Sequence, residues 1–230
     1  MQIIYHSHST IQLISGDHSL IIDPFISGNP QSKTKVEDIR TDAVLLTHAH
    51  ADHILDAVPI AKANQVPIVA NPELAAYLTW QGAENTVGMN IGGTFDLGFA
   101  KVKMIQAFHS SGIIDEEKQV IHYGGMPAGY IIEMDGKTIL HAGDTGLFGD
   151  MKLIGERHLI DVAFVPIGDH FTMGPEDALQ AAEWFNAKLT VPVHYNSFPV
   201  IHQDGDRFVQ QLESKGLKGR KLELGDTLEL

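Results

Sequence analysis

Residues 43–53 read AVLLTHAHADH, an apolar run followed at once by three histidines and an aspartate. The apolar residues predict a buried strand over Val44–Leu46. Residues two apart point to the same side of an extended chain, so His48 and His50 can converge on one point where the strand ends. On a helix the two would diverge, because helical neighbours are three or four residues apart.

Asp52 and His53 come where the chain turns into a predicted helix over Ile54–Asn64, so they can face a second point beside the first. Imidazole nitrogens and carboxylate oxygens together suit a divalent transition metal ion. The alternative is a polar turn in which Asp52 caps the helix. Three histidines at this spacing favour the metal site.

Further ligands must come from later strand ends, since one short stretch cannot surround two ions. His109, Asp144 and His194 each follow an apolar run. Open α/β sheets place their sites at the carboxyl ends of strands. Each residue alone is more often an ordinary hydrogen-bonded strand-end residue. Beside the motif, they are its predicted partners.

The remaining sequence alternates short apolar runs with helical patterns, which predicts an α/β sandwich. Asp135-Gly136 predicts a hairpin turn. The predicted strands cover Ile11–Ile14, Leu20–Ile22, Val66–Ala70, Thr94–Leu97, Ala100–Ala107, Ala128–Met134, Thr138–His141, Asp161–Ile167, Leu189–His194 and part of 221–230; further helices cover Glu73–Trp80, a segment after Leu147, Pro175–Phe185 and Arg207–Lys215. Without repeats or long linkers, residues 1–230 are predicted to form a single domain.

Composition excludes several kinds of site. The chain has 230 residues and no cysteine, which excludes disulfides, thiolate zinc sites and a cysteine nucleophile. A net charge of -13 disfavours nucleic acid as a partner, because that binding relies on Lys and Arg. The sequence has no signal-peptide pattern and no apolar run near the ~18 residues of a membrane span. We therefore expect a soluble cytoplasmic protein with no membrane partner.

The motif and its three later partners resemble the metallo-β-lactamase superfamily of hydrolases, whose HxHxDH pattern matches 48–53. The stretches DPFISGNP, MNIGGT, HAGDTGLFGDMKLIGE, GDHFTMGPEDA and PVHYNSFP are similar to a bacterial and archaeal branch of metal-dependent hydrolases related to L-ascorbate-6-phosphate lactonases. The resemblance covers essentially the whole chain. It implies an αββα sandwich, two mixed sheets flanked by helices, with the site at one edge.

The resemblance also implies two divalent metal ions. We expect Zn²⁺, while Mn²⁺ and Fe²⁺ accept the same ligands. One ion would be held by His48, His50 and His109, the second by Asp52, His53 and His194, and Asp144 would bridge them. Oxygen-reducing di-iron relatives typically carry Glu at the position of His50, so the chain resembles the hydrolytic members.

The expected activity is attack by a metal-bound hydroxide on a small ester, lactone or phosphoester, with Asp52 orienting the hydroxide or taking its proton. The alternatives are a nuclease or phosphodiesterase acting on nucleic acid, and a metal-binding sensor without catalysis. The expected partner is a small-molecule substrate. The alternating tail 221–230 is also compatible with strand pairing between subunits of a homo-oligomer.

Several other residues are predicted near the site, and each has a plain structural alternative. We expect His8 to act as a proton donor or to support a ligand, and Asp23 to accept a proton from a ligand imidazole. His141 is expected beside the ligands or simply buried in a strand. The further candidates are Thr172, for anion binding at a helix start, and Tyr195 and Asn196, for substrate contact. Trp80 and Trp184 are expected in the core.

Overall fold

The computed structural model describes residues 1–230 and contains two mixed β-sheets with helices on both outer faces. The strands are β1 Gln2–Ser7, β2 Thr10–Ser15, β3 His18–Ile22, β4 Ala43–Leu45, β5 Ile68–Ala70, β6 Thr86–Gly88, β7 Thr94–Asp96, β8 Ala100–Gln106, β9 Gly112–Asp115, β10 Val120–Tyr123, β11 Ala128–Met134, β12 Lys137–His141, β13 Val162–Pro166, β14 Leu189–Val193 and β15 Thr227–Glu229. The helices are α1 Ala51–Ile54, α2 Ala57–Asn64, α3 Pro72–Trp80, α4 Met151–Arg157, α5 Pro175–Phe185 and α6 Gly205–Ser214, with short 3₁₀ turns at Val36–Asp38 and Pro199–Ile201.

The first sheet has the order β15-β1-β2-β3-β4-β5-β6, and the second has the order β14-β13-β12-β11-β8-β7. Strands β9 and β10 pair only with each other. Because side chains alternate along a strand, Tyr130 and Ile132 face the core between the sheets, while Ile131 faces the outer helices. The predicted αββα sandwich is confirmed.

Parallel pairing brings the candidate ligands to one edge. Strands β3, β4 and β5 run parallel in the first sheet, and β12, β13 and β14 run parallel in the second. The HxHxDH motif follows β4, Asp144 follows β12, and His194 follows β14. The carboxyl ends of both sheets therefore meet where these side chains emerge.

Most element predictions hold, with a few differences. The single helix predicted over Ile54–Asn64 is two helices, because the chain breaks at Asp56, whose carboxylate accepts hydrogen bonds from the backbone N–H groups of Ile26 and Ser27. The turn at Asp135-Gly136 has positive φ at both residues, as predicted. The expectation that Trp80 lies in the core is wrong: it ends α3 and is 79% exposed.

The tail forms β15, which pairs with β1 of the same chain and lies at the margin of the first sheet. The homo-oligomer stays a prediction. None of the helices combines the length and the apolar character needed to cross a membrane.

Candidate metal centre

The histidines of the motif form two neighbouring groups with partners from distant strand ends. In one group, ligand atoms of His48, His50 and His109 lie within 4.8 Å of one another. In the other, those of His8, Asp52, His53 and His194 do so. The residues predicted for each of the two ions are thus brought together, and His8 joins the second set.

Asp144 lies between the two groups and is buried. Its Oδ2 is 2.8 Å from Nε2 of His194 and 3.3 Å from Nε2 of His53. The same oxygen is 3.6 Å from Nε2 of His109 and 3.9 Å from Nε2 of His48. One carboxylate therefore faces imidazoles of both groups, which is the position expected of a bridging ligand.

Hydrogen bonds behind the cluster fix which nitrogens face it. The Thr47 hydroxyl donates its one proton to Oδ2 of Asp23 at 2.6 Å, so towards Nδ1 of His48, 3.0 Å away, it can only accept. Nδ1 of His53 donates to the same Asp23 oxygen at 2.8 Å. Both rings then carry the proton on Nδ1 and direct a lone pair on Nε2 into the cluster.

The contact predicted for Asp23 is therefore present. Asp23 is fully buried and also accepts the backbone N–H of Thr47 at 2.8 Å. It holds the imidazole of His53 directly and that of His48 through Thr47.

The backbone of Asp23 has a φ of 47°, and His8 and His194 have φ values of 52° and 54°. These left-handed turns redirect the chain at the strand ends and are energetically unfavourable for residues other than glycine.

Several buried polar atoms of the cluster make no hydrogen bond of suitable angle, even where Asp144 lies close: Oδ1 of Asp144, Nε2 of His53 and both ring nitrogens of His194. Such atoms are rare in folded proteins because desolvation without pairing is unfavourable. In addition, Nε2 of His48 lies 2.9 Å from Nδ1 of His50. Lone pairs that converge from nitrogen and carboxylate oxygen fit a divalent transition metal cation.

Protonation also fits cation binding. Burial, followed by the neighbouring His53, lowers the pKa of His48 well below its ordinary value. Burial would raise the pKa of Asp144, but His194 and His53 outweigh it and hold that pKa well below the usual range. Neutral imidazole and ionised carboxylate are the forms that coordinate metals. His53 differs: burial would lower its pKa, but Asp144 and Asp23 raise it well above the ordinary value, so a proton competes with a cation there.

His8 supports Asp52 from the side. Burial, aided by His194, lowers the pKa of His8 to about 4, so the ring is neutral near pH 7. Its Nε2 lies 3.2 Å from Oδ2 of Asp52, and its Nδ1 lies 2.9 Å from the hydroxyl of Ser197. Because a carboxylate only accepts, Nε2–H donates to Asp52, and Nδ1 accepts from Ser197.

The alternative role of Asp52 as a helix cap is wrong. His50 occupies the N-cap position of α1, and Asp52 lies within the first turn.

His141 is fully buried outside the cluster, where its Nε2 lies 2.9 Å from the carbonyl of Ser9 and its Nδ1 accepts from the backbone N–H of Gly143. It therefore links the two sheets and holds the loop that carries Asp144.

The three residues predicted to contact substrate lie outside the lining of the cleft above the cluster, and their role stays a prediction. Tyr195 belongs to the apolar cluster of the outer core, because His194 turns the chain and the next side chain points away from the metal centre. The side chain of Asn196 accepts the backbone N–H of Gln203. The backbone N–H of Thr172 donates to the carbonyl of Asp169 at 2.7 Å, so it is not free for an anion.

The cluster forms the floor of a cleft of about 870 Å³. Its walls contain apolar residues that the sequence reasoning did not assign to the site: Ile54, Leu55, Val58, Tyr77, Leu78, Ile113, Ile114 and Phe171. Two apolar dipeptides, Ile113-Ile114 and Val120-Ile121, flank a polar turn. This pattern is the feature of the sequence that indicates the β9–β10 hairpin.

Comparison with known proteins agrees with this arrangement. The beta-lactamase superfamily domain model matches residues 18–195. A UPF0173 metal-dependent hydrolase of Geobacillus thermodenitrificans is 56% identical over 100% of both chains, and one of Bacillus cereus is 52% identical over the same extent. The structure of a metallo hydrolase from the archaeon Ignicoccus hospitalis has a TM-score of 0.89 at 38% identity, covering 100% of this chain and 98% of that one.

The match of the domain model spans the strand ends that carry the motif, Asp144 and His194. The curated relatives and the archaeal structure cover the chain from end to end. Sequence, fold and the converging His and Asp side chains thus lead to one assignment. The chain belongs to the UPF0173 metal-dependent hydrolases of the β-lactamase superfamily.

Proposed function

We propose that this hydrolase uses two divalent cations, with Zn²⁺ preferred, to hydrolyse a small ester, lactone or phosphoester. The observation that carries the proposal is the position of Asp144, whose Oδ2 lies within 4 Å of Nε2 of His48, His53, His109 and His194. A single carboxylate that reaches imidazoles from both groups suits a shared ligand. The remaining ligands would be His48, His50 and His109 on one side, and Asp52, His53 and His194 on the other.

When bound, such cations lower the pKa of a water and polarise the oxygen of the attacked group. The chain supplies the group that orients this water. Asp52 is partly exposed to the cleft, and its carboxylate would orient the attacking water or take its proton. Burial would raise the pKa of Asp52, but His53 and His8 hold it far below the usual range, so it stays ionised. His8 keeps the carboxylate in one orientation.

A small-molecule substrate is proposed in preference to nucleic acid. The net charge is -13, and the charged side chains that line the cleft, apart from its imidazoles, are the carboxylates of Asp52, Glu116 and Asp144. A phosphate backbone is held by Lys and Arg, so it would be repelled by this lining. The same cleft has the size typical of small-molecule sites.

Metal content tests this proposal directly. Elemental analysis of the wild type should give about two equivalents of a transition metal, the number that a dinuclear hydrolase requires. His48→Ala and Asp144→Ala should lose metal, while His202→Ala, at an exposed histidine that belongs to neither ligand group, should not. About one equivalent would contradict the dinuclear centre. No metal after reconstitution would contradict the proposal as a whole.

A further inference from the structure

The cleft has two chemically different parts. Its floor is the His and Asp cluster, and its walls are apolar. One wall is formed by Leu55 and Val58 of the α1–α2 segment, a second by Tyr77 and Leu78 of α3, and a third by Ile113 of β9. A cleft with a polar floor and apolar walls suits a substrate whose polar group reacts at the floor while its apolar chain lies against the walls.

The charges in the cleft do not favour a phosphomonoester. Phosphate dianions are held by Arg, Lys or free backbone N–H groups. The cleft lining contains neither Lys nor Arg, and Glu116 adds negative charge on the hairpin side. The nearby N–H groups of Thr172 and Met173 already donate to the carbonyls of Asp169 and Thr145. A dianion would therefore gain attraction only from bound cations and would meet carboxylates elsewhere.

We infer that the substrate is an uncharged carboxylic ester or lactone whose apolar acyl chain lies along the wall formed by the α1–α2 segment, α3 and β9. The inference rests on the proposed function for the reaction itself. One water is consumed: its oxygen forms a bond to the acyl carbon, the bond from that carbon to the alcohol oxygen breaks, and the products are a carboxylic acid and an alcohol. No oxidant or further reactant is needed.

The apolar side chains that line the cleft range from buried to largely exposed. Leu78 is buried at 2% exposure and Ile113 is half-buried, while Leu55 is 47% exposed and Phe171, on another side of the cleft, is 54% exposed. A longer acyl chain therefore covers apolar side chains that are otherwise in contact with water. Each methylene that becomes fully buried in this way should raise kcat/KM by up to about fourfold, and partly buried methylenes by less.

The first experiment compares p-nitrophenyl acetate, butanoate, hexanoate and octanoate with p-nitrophenyl phosphate and bis(p-nitrophenyl) phosphate, using the metal-loaded wild type. Calorimetric binding of acetone and 2-octanone, which resemble esters but cannot be hydrolysed, gives a readout that needs no turnover. We expect kcat/KM to rise at least about tenfold from acetate to hexanoate. We also expect 2-octanone to bind more tightly than acetone.

Two variants test the wall itself. Ile113→Asn should remove most of the chain-length effect by raising KM for the longer esters. Leu55→Asn, in the α1–α2 part of the same wall, should do the same if the first variant folds poorly. The matched control is Ile121→Asn on the same hairpin, because Ile121 is 74% exposed and lies outside the cleft. It should keep the wild-type chain-length dependence within about twofold, since exposed sites tolerate substitution.

The outcomes separate the two proposals. Ester turnover that does not change with chain length, or a preference for p-nitrophenyl phosphate, overturns the acyl-chain inference and leaves the hydrolase in place. Tighter binding of 2-octanone without turnover of any substrate supports the apolar wall and contradicts the proposed function. Chain-length dependence that survives in both wall variants also overturns the inference.

Discussion

The floor of the cleft and its hairpin wall are built in opposite ways. The motif of the floor leaves strand β4 of a large sheet and continues into α1, and His48 and His53 are each fixed by a hydrogen bond at Nδ1, on the side of the ring away from the cluster. The hairpin has two strands of four residues that join neither sheet. Its Ile121 and Tyr123 are 74% and 68% exposed. The side chains of the floor are preorganised, whereas the hairpin has no strand pairing with the rest of the fold.

The base of the β9–β10 hairpin is attached to the HxHxDH motif by hydrogen bonds. The backbone N–H of Ala49 donates to the hydroxyl of Ser111 at 3.1 Å, and this hydroxyl donates to the carbonyl of Gly124 at 3.1 Å. Asn71 donates to the same carbonyl at 2.8 Å while its side-chain oxygen caps α3. The two regions therefore differ in rigidity but share one anchor.

Asp144→Asn should give the largest effect, because it removes negative charge from between the two groups of imidazoles. We expect metal affinity to fall more than about 100-fold, beyond the range for residues that only support a ligand. Competition with a chromophoric chelator measures it. Asp150→Asn, at an exposed position before α4, is the matched control and should bind metal like the wild type. Equal affinity of the two variants would refute the central role of Asp144.

Asp23→Asn tests the support behind the floor. Asparagine tolerates the positive φ of this position, so the substitution changes charge and hydrogen bonding with little backbone strain. The amide cannot accept the same set of bonds from Thr47 and His53, and we expect metal affinity to fall about 10–100-fold. The same chelator assay measures it. An unchanged affinity would show that ring orientation at His53 does not depend on Asp23.

Gly124→Ala tests the shared anchor. A methyl group there would overlap the side chain of Ala49 and lie 2.7 Å from the carbonyl oxygen of Ser111. We expect a loss of about 1–3 kcal/mol in the free energy of unfolding, the usual range for overpacking. Urea denaturation measures it. Gly149→Ala, where the added methyl meets nothing within 4 Å, is the control. If both variants unfold alike, the hairpin is not anchored through Gly124.

The smallest effect is expected at the hairpin turn, where Lys118 pairs with Asp115 at 2.8 Å. Hydrogen bonds from the Lys118 side chain and backbone lower the pKa of Asp115. A pKa that is lower in the folded than in the unfolded state stabilises the fold at pH values above the unfolded-state pKa. This stabilisation is lost as the pH falls through the folded-state pKa. Lys118→Ala should move the pKa of Asp115 part of the way up, as followed by NMR titration. Because the pair lies at the surface and is screened by solvent, the urea midpoint should change very little at any pH.

Much of the floor could be predicted from local sequence. The spacing of His48 and His50 at a strand end requires only the two-residue period of an extended chain. The hairpin has only a weak local signal, two apolar dipeptides around a polar turn, since β9 and β10 are short and have no large sheet to impose alternation. The contact of His8 with Asp52 spans 44 residues and depends on how the strands pair. Tyr195 does not line the cleft, because the left-handed turn at His194 reverses the direction of the next side chain.

The left-handed residues His8, Asp23 and His194 have a consequence for how such a protein evolves. Glycine would adopt this conformation more easily at each position, but it would delete a side chain at or directly behind the metal centre. Selection for heat resistance and selection for activity therefore act against each other at the same codons. Lineages that need both must gain stability at other positions, and the core between the sheets is the natural place for those changes.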